Sequence, residues 1–154
     1  AQAKVKHPPL NDLLTMKGLA VSGKKVFVDQ CSMCHQVNNE GIDFGPKLSE
    51  IGSKLSREGM YMSVLHPNAG IGFGYETFEI ITKKGDNYQG IIVSRNETDI
   101  LMRLPGGQSQ SFKTSALKSV KQLPNSMMPE GLADGMSTQE LVDLMEYLST
   151  LKKK

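Results

Sequence analysis

The chain has 154 residues, with 18 basic against 16 acidic side chains and a formal net charge of +2. That balance excludes the basic stripe of a nucleic-acid binder, and the length bounds the chain at one domain, or one domain with a large insertion. Hydrophobic residues make up 38%, enough for a core, but Trp is absent and only four Tyr and five Phe supply aromatic bulk.

Residues 1–12 carry Lys4, Lys6, His7, Pro8 and Pro9 and few apolar side chains. They read as a flexible lead-in that leaves His7 in solvent. The small residues Ala1-Gln2-Ala3 fit the surroundings of a cleavage site, and no signal peptide precedes them, so the chain is expected to be mature or excised from a longer one. No apolar run reaches the ~18 residues of a membrane span.

Over 13–30 the spacing predicts a helix, with Leu19, Val26 and Phe27 near one face. Gly23 sits one turn before Phe27. Inside a helix it costs roughly 1 kcal/mol against Ala, a cost that close approach of another helix would explain. Residues 36–49 read as loop, punctuated by Asn38, Asn39, Gly41, Gly45 and Pro46. Helical spacing returns over 49–65, where Gly52 and Gly59 are expected to split it into two short helices, and His66-Pro67-Asn68 ends it. Gly70-Ile71-Gly72-Phe73-Gly74 follows a helix rather than a strand and reads as a hinge, not a phosphate loop.

From residue 75 the pattern becomes β-branched and aromatic. Strands are expected at 77–82, 88–93, 100–104, 108–112 and 119–123, joined by turns at 83–87, 95–99 and 105–107, as an antiparallel meander. Residues 124–131 are loop. Ser137-Thr138-Gln139-Glu140 is a capping box, and Leu141, Leu144, Met145, Leu148 and Leu151 form the apolar stripe of the helix that follows. Lys152-Lys153-Lys154 reads as a frayed, solvated tail. The expected fold class is α+β: residues 13–74 and 124–154 form a helical domain, with a sheet inserted at 75–123.

The motif with the most chemical content is Cys31-Ser32-Met33-Cys34-His35. C-x-x-C-H is the attachment signature of c-type haem. Two thiols three positions apart can each add across one vinyl group, and the next residue carries an imidazole to the iron as proximal ligand. These are the only two cysteines. A thioredoxin-like pair would need a βαβ frame. Zinc would need four ligands, which Cys31, Cys34, His35 and His66 could supply only without a second paired motif. A buried haem would also replace the missing aromatic bulk. Covalent attachment places the protein outside the bacterial cytoplasm, in the periplasm or an equivalent space.

For the second axial ligand the nine Met must be sorted. Met16, Met33, Met60, Met62, Met102 and Met145 fall in helical or strand patterns and read as packing. Met127, Met128 and Met136 lie in a loop region, where a ligand can be aimed freely. Met128 is favoured because Pro129 stiffens the backbone after it. Met127 is the nearest rival, Met136 reads as helix-entry packing, and His66 is an alternative whose duller role is to end a helix. Glu40, Asp43 and Asp86 suggest no acid–base pair.

With these residues assembled, the chain resembles a class I cytochrome c carrying an insertion. Gly23, Phe27, Leu144 and Tyr147 match that family's contact between its first and last helices, Gly45-Pro46-Lys47-Leu48 its G-P-x-L segment, and Met128-Pro129 its ligand loop. The resemblance implies that the Pro46 carbonyl accepts a hydrogen bond from His35, that Leu48 packs on the haem edge, and that Met128 is the sixth ligand. It is similar, more closely, to the haem-binding domain at the C-terminus of large dehydrogenase-like proteins of planctomycetes and verrucomicrobia. Residues 65–71 with Gly74-Tyr75-Glu76, the glycine-marked strand region, 126–132 and 138–144 carry that likeness.

The expected function is therefore single-electron transfer by one haem c, with redox proteins as donor and acceptor, such as a dehydrogenase. Other readings are a ligand sensor or small haem enzyme in which Met128 dissociates, and a relay module docked on a redox enzyme.

Overall fold

The computed structural model describes residues 3–154; the remainder of the Ala1-Gln2-Ala3 reading lies outside the described residues. Helices α1 (Leu10–Thr15), α2 (Ala20–Gln30), α3 (Ile51–Lys54) and α4 (Arg57–Leu65) precede five strands. These are β1 (Thr77–Thr82), β2 (Asn87–Arg95), β3 (Asp99–Arg103), β4 (Ser109–Lys113) and β5 (Leu117–Gln122), and α5 (Thr138–Thr150) closes the chain. No helix among the described residues is long and apolar enough to cross a membrane.

The crossing of α2 and α5 organises the helical part. A Cβ on residue 23 would run into the carbonyl of Asp143 and the Cβ of Tyr147, so only glycine lets the two backbones meet. Phe27 then stacks obliquely on Tyr147, ring centroids 5.8 Å apart. α5 buries Leu141, Val142, Leu144, Met145 and Leu148, and its N-terminus carries both halves of the Ser137–Glu140 capping box. Tyr61 and Met60 of α4 and Leu13 of α1 join the same core.

The single helix expected over 13–30 is in fact two. Met16 and Leu19 are extended, which breaks the helix between Thr15 and Ala20. Gly18 lies against the backbone of Val142, and the Leu19 N–H donates to Asp143 Oδ1 at 2.8 Å. A carboxylate on α5 thus caps α2, whose own N-cap residue supplies no side-chain acceptor. The helical stretch before His66 does split in two, but at Leu55-Ser56 rather than at the glycines, and Ser56 caps α4 through Gly59 N. Gly52 instead donates its N–H to the Leu151 carbonyl at 2.7 Å.

His7 is not free in solvent. Its Nε2 lies 2.6 Å from the Ala133 carbonyl and its Nδ1 3.1 Å from the Thr138 hydroxyl. Val5 N–H donates to Asp134 O at 2.9 Å. At the other terminus, Lys153 N–H donates to Ser53 Oγ at 2.8 Å, so the lysine tail is held at its start.

The sheet is antiparallel, in the order β4-β3-β2-β1-β5. The expected meander holds for the first four strands only. A 3-10 turn at Thr114–Ala116 turns the chain, and β5 crosses to pair with β1 instead of β4. Register shifts leave Val93 of β2 and Lys118 of β5 as the extra residues of bulges, which bend and twist the strands. Ile80, Ile100, Met102 and Phe112 form a second core on this sheet, with Tyr88 edge-on to Phe112 at 5.0 Å. The β3–β4 hairpin leans on the helical part at residues 42–43: Gly107 faces Ile42, and Arg103 lies 3.8 Å from Asp43.

Candidate functional site

The C-x-x-C-H run begins at the C-cap of α2. Cys31 N–H donates to Phe27 O at 2.8 Å, and Cys34 and His35 both turn back on the Cys31 carbonyl, at 3.1 and 2.9 Å. One tight turn therefore presents both thiols and the imidazole. The hairpin 37–40 follows, with Asn38 and Asn39 both left-handed and Val37 and Glu40 exchanging backbone hydrogen bonds. Two consecutive positive φ values are the requirement of a type I′ turn, which Asn tolerates best after Gly. The chain then folds back over the motif. Gly41 (φ 105°) passes so close to the His35 carbonyl that no side chain fits, and Gly45 donates to the Cys34 carbonyl at 2.6 Å.

This return brings Pro46 to His35. The ring Nδ1 lies 2.6 Å from the Pro46 carbonyl oxygen. A carbonyl can only accept, so Nδ1 carries the proton and Nε2 keeps a free lone pair. Burial holds the imidazole below its usual pKa, with the Pro46 hydrogen bond opposing it. The ring is therefore a neutral, oriented imidazole with one nitrogen available, which is what axial ligation of haem iron would require.

The surroundings of the thiols do not favour the thiolate that a redox pair uses. Burial, with the neighbouring Cys34 second, pushes Cys31 up to about 11, and burial raises Cys34 as well. Reactive cysteines sit in sites that lower the thiol pKa, and the antiparallel sheet supplies no βαβ frame. The zinc alternative is not assembled either: among the described residues no three His, Cys, Asp or Glu converge into a metal-holding group. His66 is exposed and forms the C-cap of α4.

The remaining predicted site residues fall on the helical core. Cys31, Leu48 and Met128 all pack against the same cluster of buried residues. Met136 is 1% exposed inside it, whereas Met102 belongs to the core of the sheet. Met127 points elsewhere. It lines a cleft of about 380 Å³ between the 124–131 loop, Asn68 and Gln89. Both adjacent methionines are half-buried, but of the two only Met128 packs on the core that holds Cys31. The residues present fit a c-type haem by three observations: two thiols in one turn, an imidazole oriented by a carbonyl, and a thioether on the same core.

A residue with no functional signature in the sequence, Asn68, ties the Met128 loop to the body. Asn68 accepts from Ser126 N–H at 2.7 Å and donates to Glu130 Oε1 at 2.7 Å. The cues at Asn68 are its place in the helix-ending His66-Pro67-Asn68 and in the 65–71 stretch of the family likeness, and neither assigns its side chain a partner.

Residues 20–102 match a protein-family model described as Cytochrome c. The match starts at the first residue of α2, contains Cys31, Cys34, His35, Pro46 and Leu48, and stops within β3 before Met128. No curated protein matches the chain.

Proposed function

The chain belongs to the cytochrome c family, and from that premise we propose that it is a monohaem carrier of single electrons whose iron is held between His35 and Met128. It is a haem-based electron-transfer protein, with haem c bound covalently through Cys31 and Cys34. The haem supplies the one-electron iron couple. His35 would hold the iron through Nε2, its tautomer fixed and its basicity raised by the Pro46 carbonyl. Met128 would supply a thioether as second ligand, and Leu48, packed on the same core, would lie against the haem.

The observation that carries this reading is the packing of Met128 on the core that also holds Cys31 and Leu48, while Met127 lines a cleft. Two protein ligands would leave no open position on the iron, which disfavours catalysis. Thioether ligation raises the potential relative to two histidines.

In this reading residues 13–74 and 124–154 form the haem domain and 75–123 is an insertion, as in the haem-binding domains of planctomycete dehydrogenase-like proteins. The protein works outside the cytoplasm, in the periplasm, between redox proteins such as a dehydrogenase and an acceptor. Met33, inside the attachment motif, is 65% exposed and suits a small, transient contact there. Exposure of the reduced protein to carbon monoxide tests the proposal. The visible spectrum stays unchanged if both axial positions are filled; a rapid shift would contradict the carrier reading and support a sensor or enzyme.

A further inference from the structure

We propose that Asn68 is the positioning residue for Met128, clamping the 124–131 loop to the helical body; this rests on Met128 being the iron ligand. The orientation of its amide is unambiguous. A backbone N–H can only donate, so the atom facing Ser126 N is the oxygen, and a carboxylate can only accept, so the atom facing Glu130 is the nitrogen. One side chain therefore holds the loop on both sides of Met128, at positions 126 and 130.

The clamp is anchored at its other end. Ala69 N–H donates to His66 O at 3.0 Å, closing a turn with Pro67 and Asn68 at its centre. Pro at the second position of such a turn fixes φ, and Pro67 is itself buried. The turn continues α4, which is fixed by its Ser56 cap and by Met60, Tyr61 and Val64 in the core. Within the loop, Ser126 passes the constraint on. Its N–H is held by Asn68, and its hydroxyl accepts from Met128 N–H at 3.1 Å. The path from rigid helix to thioether-bearing residue is thus α4, Pro67, Asn68, Ser126, Met128.

Besides the packing of Met128 on the core, few contacts hold this loop. Among the described residues, Asn68 is the only residue before 124 or beyond 134 that hydrogen-bonds to any part of 124–131. The adjacent cleft, lined by Asn68, Ser126 and Glu130, leaves the loop without packing on that side. Hydrogen bonds rather than burial must hold it there. A thioether is a weak ligand whose bond depends on its being presented, so the loop's position governs ligation.

The test compares Asn68→Ala, Met128→Ala and the exchange variant Asn68→Asp/Glu130→Gln as haem-loaded proteins. The exchange keeps an acceptor for Ser126 N–H and reverses donor and acceptor toward residue 130. The readouts are the weak red charge-transfer band of thioether-ligated ferric haem, the reduction potential, and carbon monoxide binding. Asn68→Ala is expected to lose part of the band, lower the potential and admit carbon monoxide, and the exchange variant to regain the parent band. A parent-like Asn68→Ala alongside a band-less Met128→Ala would overturn the clamp alone. A parent-like Met128→Ala would overturn the ligand reading and the clamp with it. If Asn68→Ala fails to fold, the exchange variant decides: a folded exchange variant without the band overturns the proposal.

Discussion

His35 and Pro46 meet through one hydrogen bond, 2.6 Å from Nδ1 to the carbonyl oxygen, and Gly45 makes that meeting possible. A Cβ on residue 45 would stand 2.9 Å from His35 Cε1 and 3.2 Å from the Cys34 carbonyl. The glycine thus sets the distance between the motif and the segment that orients its imidazole.

Gly45→Ala is therefore expected to push the ring away from Pro46 while leaving both thiols free to bind haem. Overpacking of this kind costs roughly 1–3 kcal/mol. Denaturant unfolding of the holoprotein should show that loss, together with a changed reduction potential. An unaltered midpoint and potential would show that the 41–48 segment yields freely.

Asp143 carries a second prediction. It is 6% exposed, and its Oδ1 accepts from Leu19 N–H and from Gln139 Nε2, both at 2.8 Å. Asp143→Ala leaves the Leu19 N–H without its partner at the start of α2, a loss worth about 1–3 kcal/mol. Asn at the same position keeps an acceptor and should cost less. Thermal unfolding of the two variants checks the order.

How much of this was legible beforehand depended on whether the signal was local. The attachment motif, the Ser137 capping box and the apolar stripe of α5 are written in consecutive residues, and the structure has the helix where the stripe put it. Gly23 was readable because a helical glycine asks for a reason. The break between Thr15 and Ala20 was not, because the periodicity of 13–30 continues through it; the carboxylate that caps α2 comes from position 143. His7 was misread for the same reason, since its partners Ala133 and Thr138 lie more than a hundred residues away. In the sheet, strand positions followed from β-branched runs and turns. Their pairing did not, because adjacency in sequence favours β4 beside β5, and only the 3-10 turn at Thr114–Ala116 sends β5 to β1. Asn68 gave no signal of its clamp, its partners being 58 and 62 positions away.

The sheet has its own pH dependence. Lys113 Nζ lies 2.6 Å from Asp99 Oδ1, and with the Thr98 hydroxyl it holds the Asp99 carboxyl below its usual value of 3.8. A depressed carboxylate stabilises the folded state above its unfolded pKa. That contribution is lost as pH falls below 3.8 and through the lower folded value. The carboxyl is half-exposed and its Lys113 partner exposed, so salt should weaken the effect. Acid titration of Asp99→Asn is expected to show a shallower stability loss in this window than the parent, and the difference should shrink at high salt.

In the proposed site Met128, not its neighbour, completes the coordination of a haem held by Cys31, Cys34 and His35. The most direct measurement is the visible spectrum of the oxidised and reduced holoprotein beside that of Met128→Ala. His35–Met128 ligation gives a weak red charge-transfer band in the oxidised parent that disappears in Met128→Ala and persists in Met127→Ala. A band that survives in Met128→Ala, or a parent that is already high-spin, would contradict it.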